Sequence, residues 1–202
     1  LTSLSGTLAG FNVSGSQPAD TLPALRLSGP VQSQFGLNKS GTGTAILSGD
    51  NRTTLSGTLL ITGGTLGAVS DAALGNPANA IELNGTGAAF QASGSFATNR
   101  TILLSNPSPA NNQILVAPGA TFTLNSVLGG TGGFQRAGHQ GTLVLTATNL
   151  FSGSVTLGGG ITRITNASAL GTSAAGTNVV WGASLQLDGS AGGNLHGLFA
   201  EK

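Results

Sequence analysis

The sequence predicts an all-β fold of the solenoid type, on three observations. Apolar residues fall in short bursts with a period of two. Glycine, or an Asn-Gly or Asp-Gly pair, punctuates nearly every burst. One long stretch recurs, co-linearly, about 97 residues further on. Alternation over four to six residues marks a strand with one buried face. Gly, Asn and Asp mark the turns between strands. A sandwich, a barrel and a solenoid all accommodate such spacing, and the internal repeat favours the solenoid.

Along the chain, the clearest bursts are 44–47, 58–61, 81–83, 90–92, 114–116, 122–124, 143–145, 155–157 and 185–187. Their turns include Ser48-Gly49-Asp50-Asn51, Gly63-Gly64, Asn84-Gly85 and Asp188-Gly189. The same reading yields about eighteen candidate strands.

Composition agrees. Charged residues make up 6% of the chain, against a usual share of about a quarter. Hydrophobic residues reach 39%, and 34 of the 202 residues are Gly. A disordered chain would be poor in Leu, Ile, Val and Phe, and this one is rich in them. Glu and Lys, which fill helix surfaces, occur twice each. The expected surface is therefore hydroxyl, amide and backbone.

Arg26, Lys39, Arg52, Arg100, Arg136 and Arg163 are spread singly. Nucleic-acid binding needs clustered cations with aromatics among them, so it is not expected. No run of about 18 apolar residues offers a membrane-spanning helix. Leu1 is not a natural start, so the chain is expected to be processed or excised from a longer one. The absence of Cys removes disulfides and says little about compartment.

The repeat is specific. Gly43-Thr44-Ala45-Ile46-Leu47-Ser48-Gly49-Asp50-Asn51 matches Gly141-Thr142-Leu143-Val144-Leu145-Thr146-Ala147-Thr148-Asn149. Ser56-Gly57 matches Ser152-Gly153, Ala73-Leu74-Gly75 matches Ala169-Leu170-Gly171, and Gly87-Ala88-Ala89-Phe90-Gln91 matches Gly182-Ala183-Ser184-Leu185-Gln186. The offset drifts only from 98 to 95. Gly119-Ala120-Thr121-Phe122 echoes the last of these outside the long offset. A solenoid repeat runs about 20–45 residues, so the longer unit is several turns repeated as a block. The expected organisation is one continuous solenoid: N-terminal turns over 1–38, block one over 39–135, and a truncated block two over 136–202.

Lys39-Ser-Gly-Thr-Gly43-Thr44 through Asn51, Gly57 and Gly64-Thr65-Leu66 resembles the autotransporter-associated β-strand repeat. The second copy runs from Arg136 through Gly141–Leu145, Asn149, Phe151, Gly153 and Gly160. Copy one lacks the aromatic and carries two extra residues; copy two has Arg for Lys and Ile161 where Thr would follow Gly160. The resemblance implies a right-handed parallel β-helix in the exported passenger of a Gram-negative surface protein. It brings no catalytic residues with it.

Physically the fold suits the residues. Gly57 and Gly153, and Gly75 and Gly171, sit at corners and turn ends. Asn51 and Asn149 sit where an Asn bonds its own turn, and are expected to stack as ladders. Ala73-Leu74-Gly75 and Ala169-Leu170-Gly171 are expected to close short helical turns with Gly as the stop.

No catalytic, cofactor or metal site is expected. Asp20, Asp50, Asp71, Glu82, Asp188 and Glu201 form no close pair in sequence, whereas glycan-cleaving enzymes place carboxylates together. His139 and His196 have no ligand-type neighbours. Gly129-Gly130-Thr131-Gly132-Gly133 lacks the Lys and helix of a phosphate loop. Six Asn-x-Ser/Thr sequons, at Asn12, Asn38, Asn51, Asn84, Asn99 and Asn166, exceed chance only slightly. Three Thr-x-Thr triplets (Thr42/Thr44, Thr121/Thr123, Thr146/Thr148) are irregularly spaced. Trp181 reads as core, with sugar stacking as the alternative.

Two functions follow. One is a structural stalk, scaffold or filament subunit, whose in-phase ends would stack head to tail through an edge at Leu195, Leu198 and Phe199. The other is an adhesive passenger fragment that binds cell-surface glycans. Both place the chain outside the cell or on its surface, and neither makes it an enzyme; a polysaccharide-degrading β-helix enzyme, which would need stacking to bring carboxylates together, is the subordinate third reading.

Overall fold

The computed structural model describes residues 2–3, 9–14, 25–138, 140–172 and 176–189. Its strands pair in parallel and stack as a β-solenoid of about 7 turns. The cross-section has three faces, visited in order on every turn.

The first face carries β2 (Ala9–Asn12), β5 (Leu37–Ser40), the first halves of β7 (Leu59–Ala68) and β8 (Ile81–Ala92), β10 (Ile102–Leu104) and β13 (Leu128–Gly129). The second carries β3 (Leu25–Leu27), β6 (Thr44–Leu47), the second halves of β7 and β8, β11 (Asn112–Val116), β14 (Phe134–Ala137), β16 (Val155–Gly158) and β18 (Thr177–Val179). The third begins with β1 (Thr2–Ser3) and β4 (Val31–Gln32). Its longer sheet is β9 (Phe96–Thr98), β12 (Thr121–Leu124), β15 (Thr142–Leu145), β17 (Gly160–Ile164) and β19 (Ala183–Leu187). Between β4 and β9 that face is filled by the turn at 51–55 and a 3-10 segment, Asp71–Leu74.

Because alternate side chains of a strand point inward, parallel stacking lays like on like. Leu37, Leu59, Ile81, Ile102 and Leu128 form one inward column, and Leu66, Phe90 and Ile114 belong to another; all are fully buried. Each such side chain contributes roughly 1.5–3 kcal/mol. Phe122 joins two faces, with ring centroids 5.5 Å from Phe90 and 5.1 Å from Phe96. Phe151 packs edge-on against Phe134 at 5.6 Å.

Two glycines show different needs. Gly75 ends the 3-10 segment with φ 84°, where an L side chain is strained. Gly153 needs room instead: a Cβ there would run into the backbone of Gly132 and Gly133. Gly57 and Gly171 combine a φ of 96° and 88° with equally close neighbours. The second Ala-Leu-Gly is a plain turn, closed by Ala169 N–H to Asn166 O and Gly171 N–H to Ser168 O.

The sequence repeat is out of phase with the turn. From Leu37, four turns (Leu59, Ile81, Ile102, Leu128) consume 128 − 37 = 91 residues. The residue 97 positions after Leu37 is Phe134, six residues beyond Leu128 and the first of β14 on the second face. The second copy therefore lies one face round from the first. Lys39 and Thr44 stand on the first and second faces, and their counterparts Arg136 and Thr142 on the second and third.

Candidate functional site

The core holds three cations. Lys39 is fully buried on β5, in the inward column of Ile61, Leu83 and Leu104. Its Nζ donates to the carbonyls of Ser40, Gly41 and Gly63 at 2.8, 2.9 and 3.0 Å. Burial pushes its pKa down to about 8. Arg136 repeats the arrangement with a longer side chain. It donates to the carbonyls of Gly141 and Ile161, its Nε has no partner, and burial lowers its pKa to about 10. Arg100 pairs with Asp71 at 2.8 Å and donates to the carbonyls of Asp71, Gly75, Asn76 and Asn79. Sequence reasoning took these as scattered charges. Only the Lys-to-Arg exchange at one place in the repeat signalled a shared role.

Asn51 and Asn149 are buried brackets between turns rather than closures of their own. Asn51 Oδ1 accepts from Val31 N–H and its Nδ2 donates to Ala73 O, each at 2.7 Å. Asn79 ties Gly57 N–H to the carbonyls of Leu55 and Leu74 in the same manner. The Asn51 side chain of its sequon is thus buried in the folded chain. His139, His196, Asp20, Glu201 and the proposed edge Leu195, Leu198 and Phe199 lie outside the described residues.

The outer surface of the third face carries two columns of outward side chains. Thr121, Thr142, Ile161 and Ser184 follow one another in register along its rim. Beside them run Thr123, Val144, Arg163 and Gln186. Arg163 donates twice to Gln186 Oε1, at 3.2 and 3.1 Å. A cleft of about 140 Å³ lies where β9 begins this face, lined by Asp71, Thr98, Arg100 and Asn125 among others. Asp71 is already engaged there by Arg100 and Thr98.

Trp181 departs from its expected place in the core. It is 98% exposed, at the corner where the second face meets the third. A turn holds it there, closed by Ala183 N–H to Val180 O at 3.0 Å, with Gly182 at φ 91°. Asp50 is paired with Arg52 on the surface at 2.6 Å, and Glu82 accepts from Asn84 and Ser105. Among the described residues no three His, Cys, Asp or Glu gather to hold a metal, and no helix is long and apolar enough to cross a membrane.

No protein-family model matches the chain, and no solved structure matches it. It is similar to the adhesin BmaC autotransporter of Brucella suis biovar 1 (strain 1330), with 34% identity over 133 residues. The alignment covers 66% of this chain, and the chain spans 4% of the length of that protein.

Proposed function

We propose that this chain is a stretch of an exported, cell-surface adhesin-like passenger, in which the solenoid is a stiff spacer that presents side chains at fixed intervals. The observation that carries the reading is the parallel solenoid itself, taken with the similarity to an autotransporter adhesin. Every turn is tied to the next by strand pairing, and buried Asn and Arg side chains add brackets across turns. Such a rod transmits distance without a hinge. The charge-poor surface suits work outside the cell, and an inward-facing Lys and Arg suit a structural repeat better than a catalytic one. The test is display of the chain on bacteria within its parent reading frame, followed by attachment to host cells. Attachment that falls when the chain is deleted supports the reading. Unchanged attachment, with surface display intact, overturns it.

A further inference from the structure

We propose that the corner at Trp181, with the adjoining rim of the third face, is a binding platform for a neutral glycan lying along the solenoid axis. The proposal rests on the adhesin reading and names the ligand class of that surface.

The Trp is not required by the turn it occupies. The same corner three turns earlier is Pro118-Gly119-Ala120, closed by Ala120 N–H to Ala117 O at 3.0 Å, with Gly119 at φ 74°. Its repeat counterpart is Thr86-Gly87-Ala88. Pro118 and Trp181 thus serve the same kind of turn, so backbone geometry does not select the indole. Nor does packing. The corner position next to it along the axis is Gly159, which lies against Gly138, and an added Cβ at Gly119, Gly138 or Gly182 would meet nothing within 4 Å. The neighbouring corner residue, Gly159, brings no side chain against the indole. An exposed indole with an open approach is a stacking surface for an amphipathic ring.

The rim supplies matching polar groups. Thr121 and Thr142 place hydroxyls on successive turns, spaced about 4.8 Å apart where strands pair, and Ser184 adds a third beyond Ile161. Thr123 and Gln186 stand one column further in. That step is close to the advance of an extended glycan by one sugar. The single cation on these two columns, Arg163, is held by Gln186. No cluster of cations waits for phosphate, sulfate or uronate, so charge favours a neutral chain. Size argues against a second protein. Four strands by about 14 Å of their length present on the order of 270 Å², well under the roughly 800 Å² per partner of a stable interface. A single chain would bind weakly, and display in many copies would raise the avidity.

Trp181 is the lone Trp, so its fluorescence reports the site directly. The 202-residue chain is titrated with cellohexaose, laminarihexaose and chitohexaose, and with a heparin hexasaccharide. Saturable change in emission with at least one neutral hexasaccharide, and none with heparin, is expected. By calorimetry, Trp181→Ala and Thr142→Lys should each weaken that binding at least tenfold. Thr44→Lys, the repeat counterpart on the second face, should leave it unchanged. Circular dichroism and melting confirm that the variants fold. Absence of any neutral-sugar response, preference for heparin, equal binding by Trp181→Ala, or an emission shift that follows protein concentration alone would each overturn the proposal. Displayed cells separate the two ideas: attachment that survives Trp181→Ala removes the glycan site and leaves the adhesin reading, whereas loss of the reading requires attachment to survive deletion of the chain.

Discussion

Asn51 and Asn149 make the same two hydrogen bonds on different faces of the solenoid. Asn51 accepts from Val31 N–H and donates to Ala73 O; Asn149 accepts from Leu128 N–H at 2.7 Å and donates to Ala169 O at 2.6 Å. Asn51 opens the third face of its turn, and Asn149 opens the first. The repeat preserves local hydrogen bonding while rotating it about the axis.

Equal bonds imply equal costs. Asn51→Ala and Asn149→Ala each strand one buried N–H and one buried carbonyl, at about 1–3 kcal/mol per group. Urea unfolding should show losses of about 2–6 kcal/mol for each, matched to within about 1 kcal/mol. A loss at one site alone would mean that the two brackets are not equivalent. Asn→Asp should cost more, because it turns a carboxylate oxygen toward the carbonyl of Ala73 or Ala169.

Lys39 gives stability an alkaline slope. Its ordinary pKa of 10.5 is lowered to about 8 in the fold. Between those values the unfolded chain binds more protons than the folded one, so stability rises with pH across that window. Below about pH 8 both states carry the charge, and the desolvation penalty is complete. The chain has no Tyr or Cys, and its other Lys is Lys202. The urea midpoint should therefore increase from pH 7.5 to pH 10. Lys39→Arg, which copies the Arg136 arrangement, should fold and flatten that slope. A wild-type midpoint that falls over the same interval would refute the assignment.

The strands and their solenoid stacking were legible because period two and glycine punctuation are one-dimensional signals. The face on which each strand lies was not. Turn length varies from 21 to 26 residues even down the column from Ile81 through Ile102 to Leu128, and those increments accumulate into the rotation. Lys39, Arg100 and Arg136 read only as isolated charges because a sequence pattern does not show which carbonyls converge on a side chain. Trp181 looked like core because size and apolarity usually place Trp inside, and only the corner geometry puts it out. The roles of Asn51 and Asn149 were half visible: their turns were identified, but their partners lie some twenty residues away on either side.

Arg100 is the clamp of the 71–79 loop. Its guanidinium pairs with Asp71 and fills with the carbonyls of Gly75, Asn76 and Asn79, with the side chain 1% exposed. Arg100→Met removes the charge and leaves Asp71 and those acceptors without their donor. With Asp71 34% exposed, the loss is below the full penalty of a buried pair and is about 1.5–3 kcal/mol. Limited proteolysis should then cut first between 71 and 79, a segment expected to resist cleavage in the wild type. Cleavage that starts elsewhere would show that the loop is held by other contacts.

The rotation of the repeat is measurable as a distance. The absence of native Cys allows clean spin labelling through introduced cysteines. Thr44, Thr65, Ala89, Gln113 and Gln135 form one outward column on the second face. Labels at Thr44→Cys and Gln135→Cys are four turns apart, so their Cα atoms are separated by about 19 Å along the axis. Thr142, the repeat counterpart of Thr44, lies round the corner on the third face. Labels at Thr44→Cys and Thr142→Cys should therefore give a clearly longer distance than the first pair. In a block that repeated in phase, the order would reverse, because Thr142 would stand directly in line with Thr44. That reversed order would refute the one-face rotation, and with it the expectation that repeated blocks turn their equivalent surfaces progressively around the rod.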